Sequence, residues 1–250
     1  MMVVIDAHVF IGESIYFRRG EFLAEDLLKV MDENGVDMAV VVAPPPGPYY
    51  DSGNKYVYEA TRKYDRLIGV YRLNPWFGVS EIDKARRAIV EWGFKAIYID
   101  PQNESFSITS PIVKSVISLA GELDVPLYIK SSQSQFYSQE GVVFLSYMNQ
   151  NVKFITGQSS LAAILSTRSP MAQNLKNLFL ETYPLRGGHM GVDYFLKRLP
   201  ETMDPSRLVF SSQMPFGHVK LELRTIELTG LDDSFKRLIL GENIKRVLKI

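Results

Sequence analysis

The chain has no cysteine among its 250 residues. That excludes disulfides, a thiol nucleophile and a thiolate metal site. It also has no net charge, since 28 Lys and Arg balance 28 Asp and Glu, and no basic run stands out. Nucleic acid and acidic membrane surfaces find no electrostatic footprint here, and neither is expected as a partner. The opening apolar run, Val3 to Phe10, is interrupted by Asp6 and His8. Such a run fits neither a signal peptide nor a membrane span, so a soluble cytoplasmic protein is expected. No Gly-rich phosphate motif follows a strand-like run, and no serine sits in a Gly-x-Ser-x-Gly elbow. P-loop and serine-hydrolase chemistry are therefore not expected.

What is present is alternation. Apolar residues make up 46% and charged residues 22%, ordinary values that predict a sizeable core in one α/β domain spanning 1–250. Short apolar runs recur at 3–10, 37–43, 67–73, 94–99, 125–130, 152–156, 178–182 and 208–211. Between them lie stretches with helical periodicity, such as Leu27, Leu28 and Met31 ahead of Gly35. Ser80 and Asp83 read as a capping box, and Ser110-Pro111 as a cap with proline at the first helical position. Eight such runs alternating with helices predict a parallel sheet, and their number fits a closed (βα)8 TIM barrel. A doubly wound open sheet would give the same alternation.

The first strand reads Ile5-Asp6-Ala7-His8-Val9-Phe10. Further along come Arg66-Leu67-Ile68-Gly69-Val70-Tyr71-Arg72-Leu73-Asn74-Pro75 and Leu208-Val209-Phe210-Ser211-Ser212-Gln213-Met214-Pro215, and Ile239 to Leu248 forms the close. In that order and spacing they resemble the amidohydrolase-related family, the metal-dependent hydrolases similar to aminocarboxymuconate-semialdehyde decarboxylase. The resemblance covers nearly the whole chain. It implies a TIM barrel, frequent self-association and hence a homodimer, and a divalent metal. The family holds that metal with two histidines on the first strand, one each on the fifth and sixth, and an aspartate after the eighth. The matching positions here are His8, Phe10, Lys130, Gln158 and Gln213. One imidazole, two amides, a phenyl ring and an ammonium are a poor set for a dication, so no metal or other cofactor is expected.

The remaining candidates follow from residue chemistry. Strand parity places Asp6, His8 and Phe10 on one face, Lys130 with Tyr128, and Glu181 with Phe179. Lys130 can replace the charge of the lost dication by pairing with Asp6 or Glu181, in which case Lys130→Met should cost on the order of 3 kcal/mol. Desolvated, it could instead form an imine with a carbonyl substrate. His8, Asp6 and Glu181 are the other catalytic candidates, with His8 a proton carrier. Arg72, Gln158 and Gln213 could hold a ligand, although Arg72 could equally bridge to Asp100. His189, after the pair Gly187-Gly188, reads as a surface histidine, and His218, near the start of the last barrel helix, carries no firmer signal. Three functions remain open. The chain is a degenerate family member that binds a small ligand or is silent, a metal-independent hydrolase or lyase using Lys130 on a small carbonyl or carboxylate compound, or a metal enzyme with unaligned ligands.

Overall fold

Eight parallel strands carry the architecture: β1 Ile5–Phe10, β2 Met38–Val42, β3 Leu67–Arg72, β4 Ala96–Ile99, β5 Leu127–Ile129, β6 Phe154–Thr156, β7 Leu178–Glu181 and β8 Leu208–Val209. The structure is a computed structural model, and it describes residues 2–132, 134–157, 175–183 and 204–250. Each strand pairs with the next in sequence order. The last returns to the first through Ala7 N–H donating to the Phe210 carbonyl at 2.8 Å. The chain is therefore a (βα)8 TIM barrel, and the eight apolar runs of the sequence each contain one of its strands.

Around the strands lie α1 Ala24–Asn34, α2 Asp51–Lys63, α3 Gly78–Val90, α4 Val113–Glu122, α5 Gln139–Met148 and α6 Val219–Glu227. Two short helices, α7 Asp233–Arg237 and α8 Asn243–Leu248, follow a π-helical turn at Leu238–Glu242 or precede it. Gly35 ends α1 at φ 66°, a left-handed cap that glycine adopts without a Cβ penalty. Helix α3 begins at Gly78, directly after the turn Pro75–Phe77, so Ser80 lies inside it and does not cap it. The Ser80 hydroxyl donates back to the Phe77 carbonyl instead. No described helix is long and apolar enough to cross a membrane.

Strand alternation divides the core into two layers. Val41, Tyr71, Ile97, Ile129 and Leu180 face outward against the helices. Val40, Val70, Tyr98, Tyr128, Ile155 and Phe179 fill the barrel interior. Ile244, Val247 and Leu248 of α8 join that interior cluster and close the floor. One strand breaks the rule. A register shift between Asp6 and Val9 sends Ala7 and Phe10 inward while Val9 turns outward. Such a bulge re-aims side chains, and here it corrects the parity reading, because Asp6 does not share the bonding partners of His8.

Candidate active site

The C-terminal ends of the strands bring four of the sequence-derived candidates into one hydrogen-bonded chain. His8, near the end of β1, bonds through Nδ1 to Oε1 of Glu181, the last residue of β7, at 2.7 Å. The other oxygen of Glu181 accepts from Nε2 of Gln213 at 2.8 Å. Oε1 of Gln213 in turn accepts from the Lys130 ammonium. Gln213 thus uses both ends of its amide. Its backbone is left-handed, φ 50°, and its N–H donates to the His8 carbonyl at 3.0 Å. A non-glycine residue held there carries strain, which often accompanies sites where geometry is fixed for function.

The ionisation of this chain follows from its partners. Burial pushes the Glu181 carboxyl up, but His8, the Lys130 charge and the Gln213 amide outweigh it and hold it below its usual range. Burial lowers the Lys130 ammonium, against the pull of Glu181 and Asp100. Gly157 makes room beside them, since a Cβ there would stand 2.0 Å from the Ser131 hydroxyl oxygen and 3.7 Å from Oε2 of Glu181. A larger residue here would have to displace the Ser131 side chain.

The expected ion pair of Lys130 with Asp6 or Glu181 is not formed. Among the described residues no carboxylate lies within salt-bridge distance of its ammonium, and the neutral amide of Gln213 stands between Lys130 and Glu181. Asp6 turns elsewhere. Its carboxylate accepts from the Ser212 N–H at 2.9 Å and lies 2.5 Å from the Ser212 hydroxyl, tying β1 to the loop after β8. Burial raises Asp6 to about 7 against these hydrogen bonds.

Arg72 is not open to a ligand anion either. Fully buried, its Nη2 bonds Asp100 at 2.9 Å and Glu104 at 3.0 Å, and Nη1 reaches the Ala43 carbonyl at 3.2 Å. Its guanidinium lies over the Tyr50 ring, 4.3 Å from the centroid, while the Tyr50 hydroxyl bonds Glu104. The Asp100 bridge could be anticipated from the sequence. Glu104 could not, because it lies in a run of turns without periodicity. Ser212 and Tyr98 were missed as well, although parity along β4 puts Tyr98 inside. Gln158 and His189 lie outside the described residues. His218 caps the start of α6 at the exposed surface.

Among the buried polar atoms with no hydrogen-bond partner among the described residues are Nε2 of His8, the hydroxyl of Tyr98, Nε of Arg72 and the Ser211 hydroxyl. The His8 and Tyr98 rings meet edge-on with centroids 5.2 Å apart, and Phe10 stands 4.6 Å from His8 on another side.

Comparison with known proteins places this geometry. The sequence model of the Amidohydrolase family matches residues 15–250. The chain belongs to the amidohydrolase family. No curated protein sequence matches it. Among solved structures, the 5-carboxyvanillate decarboxylase of Sphingomonas paucimobilis superposes with a TM-score of 0.79 at 14% identity over 100% of both chains. The enzyme of the same activity from Novosphingobium aromaticivorans, with bound manganese and a methoxyhydroxynitrobenzoic acid, gives 0.77 at 16% identity, covering 99% of this chain and 97% of that one. A probable 2-pyrone-4,6-dicarboxylic acid hydrolase of Acinetobacter baumannii, with citric acid bound, gives 0.73 at 13% over 100% of both.

The described donors of this amidohydrolase do not fit a dication. No three carboxylate or imidazole groups converge among the described residues. Phe10 has no lone pair to offer, Glu181 is engaged by His8 and Gln213, and the Lys130 ammonium lies close enough to act on Glu181.

Proposed function

We propose that this chain is a degenerate amidohydrolase family member that works without the family's dication and binds a small carboxylate or carbonyl ligand at the barrel mouth, beside Lys130. One observation carries the reading. Among the described residues the Lys130 ammonium has one hydrogen-bond partner, a neutral amide, which leaves donors for a ligand oxygen. Related solved structures support the ligand class, since they hold a methoxyhydroxynitrobenzoic acid and citric acid. The ammonium would supply the positive charge that a dication supplies in a metal enzyme. Elemental analysis of protein purified without chelator, together with calorimetric titration of acetate and succinate into wild type and Lys130→Met, tests this. Loss of binding in the variant is expected. A stoichiometric divalent ion, or equal affinity in both proteins, would refute it.

A second reading is favoured by the lowered Lys130 ammonium and by the lack of a carboxylate partner among the described residues: metal-independent hydrolase or lyase chemistry through an imine. There the amine nitrogen adds to a carbonyl carbon and water leaves. Borohydride reduction with a small ketone or aldehyde would leave the adduct mass on Lys130. A homodimer belongs to the same proposal, checked by light scattering across micromolar concentrations. Exposed Phe144, Tyr147 and Met148 on α5 support it.

A further inference from the structure

We infer that the floor of the barrel, at the end away from Lys130, carries a second binding site, for a small organic phosphate with an apolar body. A cavity of about 590 Å³ opens there between the segment leading into β7, the turn Pro205–Arg207 ahead of β8, and α8. Pockets that take small molecules span roughly 300–1,000 Å³. Among the described residues its lining has two chemistries. Leu175, Phe179 and Val247 are buried apolar side chains. Lys153, Lys176, Arg207 and Arg246 are cations, set against the single carboxylate of Asp204. Lys153, Lys176 and Arg207 each precede a strand, which puts them at the N-terminal ends of β6, β7 and β8.

The cations are held together by short-range contacts. Arg207 is buried, and its Nη1 donates to the Leu175 carbonyl. Arg246 donates from Nη2 to the Ser206 carbonyl at 2.7 Å, which brings a second guanidinium to the same turn. Asp204 already accepts from the Ser206 N–H at 2.9 Å. Burial raises its carboxyl, yet the Ser206 bonds and the charges of Arg207 and Arg246 hold it below its usual range. Lys153 lies 3.7 Å from Asp124, a carboxylate that Lys249 also bonds. Among the described residues Lys176 and Arg246 have no carboxylate partner. An anion of more than one charge relieves the repulsion that this gathering creates. A phosphate monoester carries roughly −1.5 to −2 at neutral pH and offers three acceptor oxygens. Guanidinium forks match those oxygens, whereas a carboxylate brings one charge and two oxygens. The apolar side chains then receive the body of the ligand. Val247 shares α8 with Ile244 and Leu248, so a guest here ties the floor to the turn ahead of β8 without touching the mouth.

Calorimetric titration of the full chain with 1-naphthyl phosphate, inorganic phosphate and 1-naphthol tests the site. The naphthyl ester should bind about tenfold more tightly than inorganic phosphate, and 1-naphthol should show no binding. Arg246→Gln should weaken the ester about tenfold, the scale of one charge-assisted hydrogen bond. Lys176 is exposed and makes no described contact, so Lys176→Gln leaves the fold intact, and about a threefold loss is expected. Lys130→Met should leave the affinity for the ester unchanged, which separates this site from the one proposed at the mouth. Binding that Lys130→Met removes and both floor variants keep puts the anion at the mouth and overturns the inference. Equal affinity for the ester and inorganic phosphate overturns it too, because the apolar body then contributes nothing. So does an absence of binding by the ester at millimolar concentration, a result that leaves the carboxylate reading of the mouth standing.

Discussion

Two cations sit on the same rim of this barrel and are held in opposite ways. Arg72, at the end of β3, is fully buried, bonds two carboxylates directly and is sandwiched against Tyr50. Lys130, just past β5, is half-buried and bonds an amide. The first arrangement is closed. Both of its terminal nitrogens are held by carboxylates or a carbonyl, which is how a buried guanidinium becomes a structural pillar. The second is unfinished. Its nearest anion, Glu181, is committed to His8 and Gln213, and among the described residues the ammonium bonds the Gln213 amide alone. One half of the mouth is braced by ion pairs, and the other is where the proposed ligand would sit.

Substitutions can break that contrast. Arg72→Met should have the largest effect, about 3–5 kcal/mol of lost stability, because Asp100 and Glu104 are left buried without their cation. A urea midpoint unchanged from wild type would remove the pillar role. Lys130→Met should cost less, about 1–2 kcal/mol, the scale of one charged hydrogen bond in a partly exposed setting. That lowers the expectation of about 3 kcal/mol drawn from a direct ion pair. If the two substitutions cost the same, the distinction between the cations fails.

A third prediction concerns pH. Asp6 is raised from 3.8 to about 7 by burial, so the folded protein keeps a proton that the unfolded chain has released. For a raised acid, the stabilising contribution is complete below the unfolded value and is lost as pH rises through the folded one. The denaturation midpoint should therefore fall between pH 4 and about 7 through this group. Asp6→Asn, which cannot ionise and can still accept from the Ser212 hydroxyl, should flatten that slope. A slope identical in the variant would assign the pH dependence to other carboxylates. The smallest effect is expected for Gln213→Gly. Relief of the left-handed backbone, about 0.5–1 kcal/mol, offsets part of the lost amide contacts, so stability should change little while acetate binding weakens.

Most of the fold was legible because periodicity reports burial directly. Each apolar run contains a strand, and the inward placement of Lys130 with Tyr128 and of Glu181 with Phe179 agrees with counting by twos. Counting failed on β1, where the shift between Asp6 and Val9 separates Asp6 from His8. A bulge is decided by the neighbouring strand, not by the residues it displaces. Pairing was the other weak point. The sequence offered Lys130 with Glu181, yet the loop after β8 carries Gln213 between them. Loop residues have no period to betray where they point. The Arg72–Asp100 bridge was readable because both residues stand at strand ends, whereas Glu104 reaches Arg72 from irregular turns.

The floor formed by Ile244, Val247 and Leu248 has a kinetic meaning. With the interior filled by side chains and its lower end stoppered, the barrel leaves no through passage among the described residues. A molecule that reaches His8 must leave by the way it came. Arrival and departure then compete for one opening, so a second molecule cannot enter behind the first and push it onward. Residence time becomes a property of the rim alone. Changes in α8 should alter how long the protein survives, while changes around Lys130 should alter how long a guest stays.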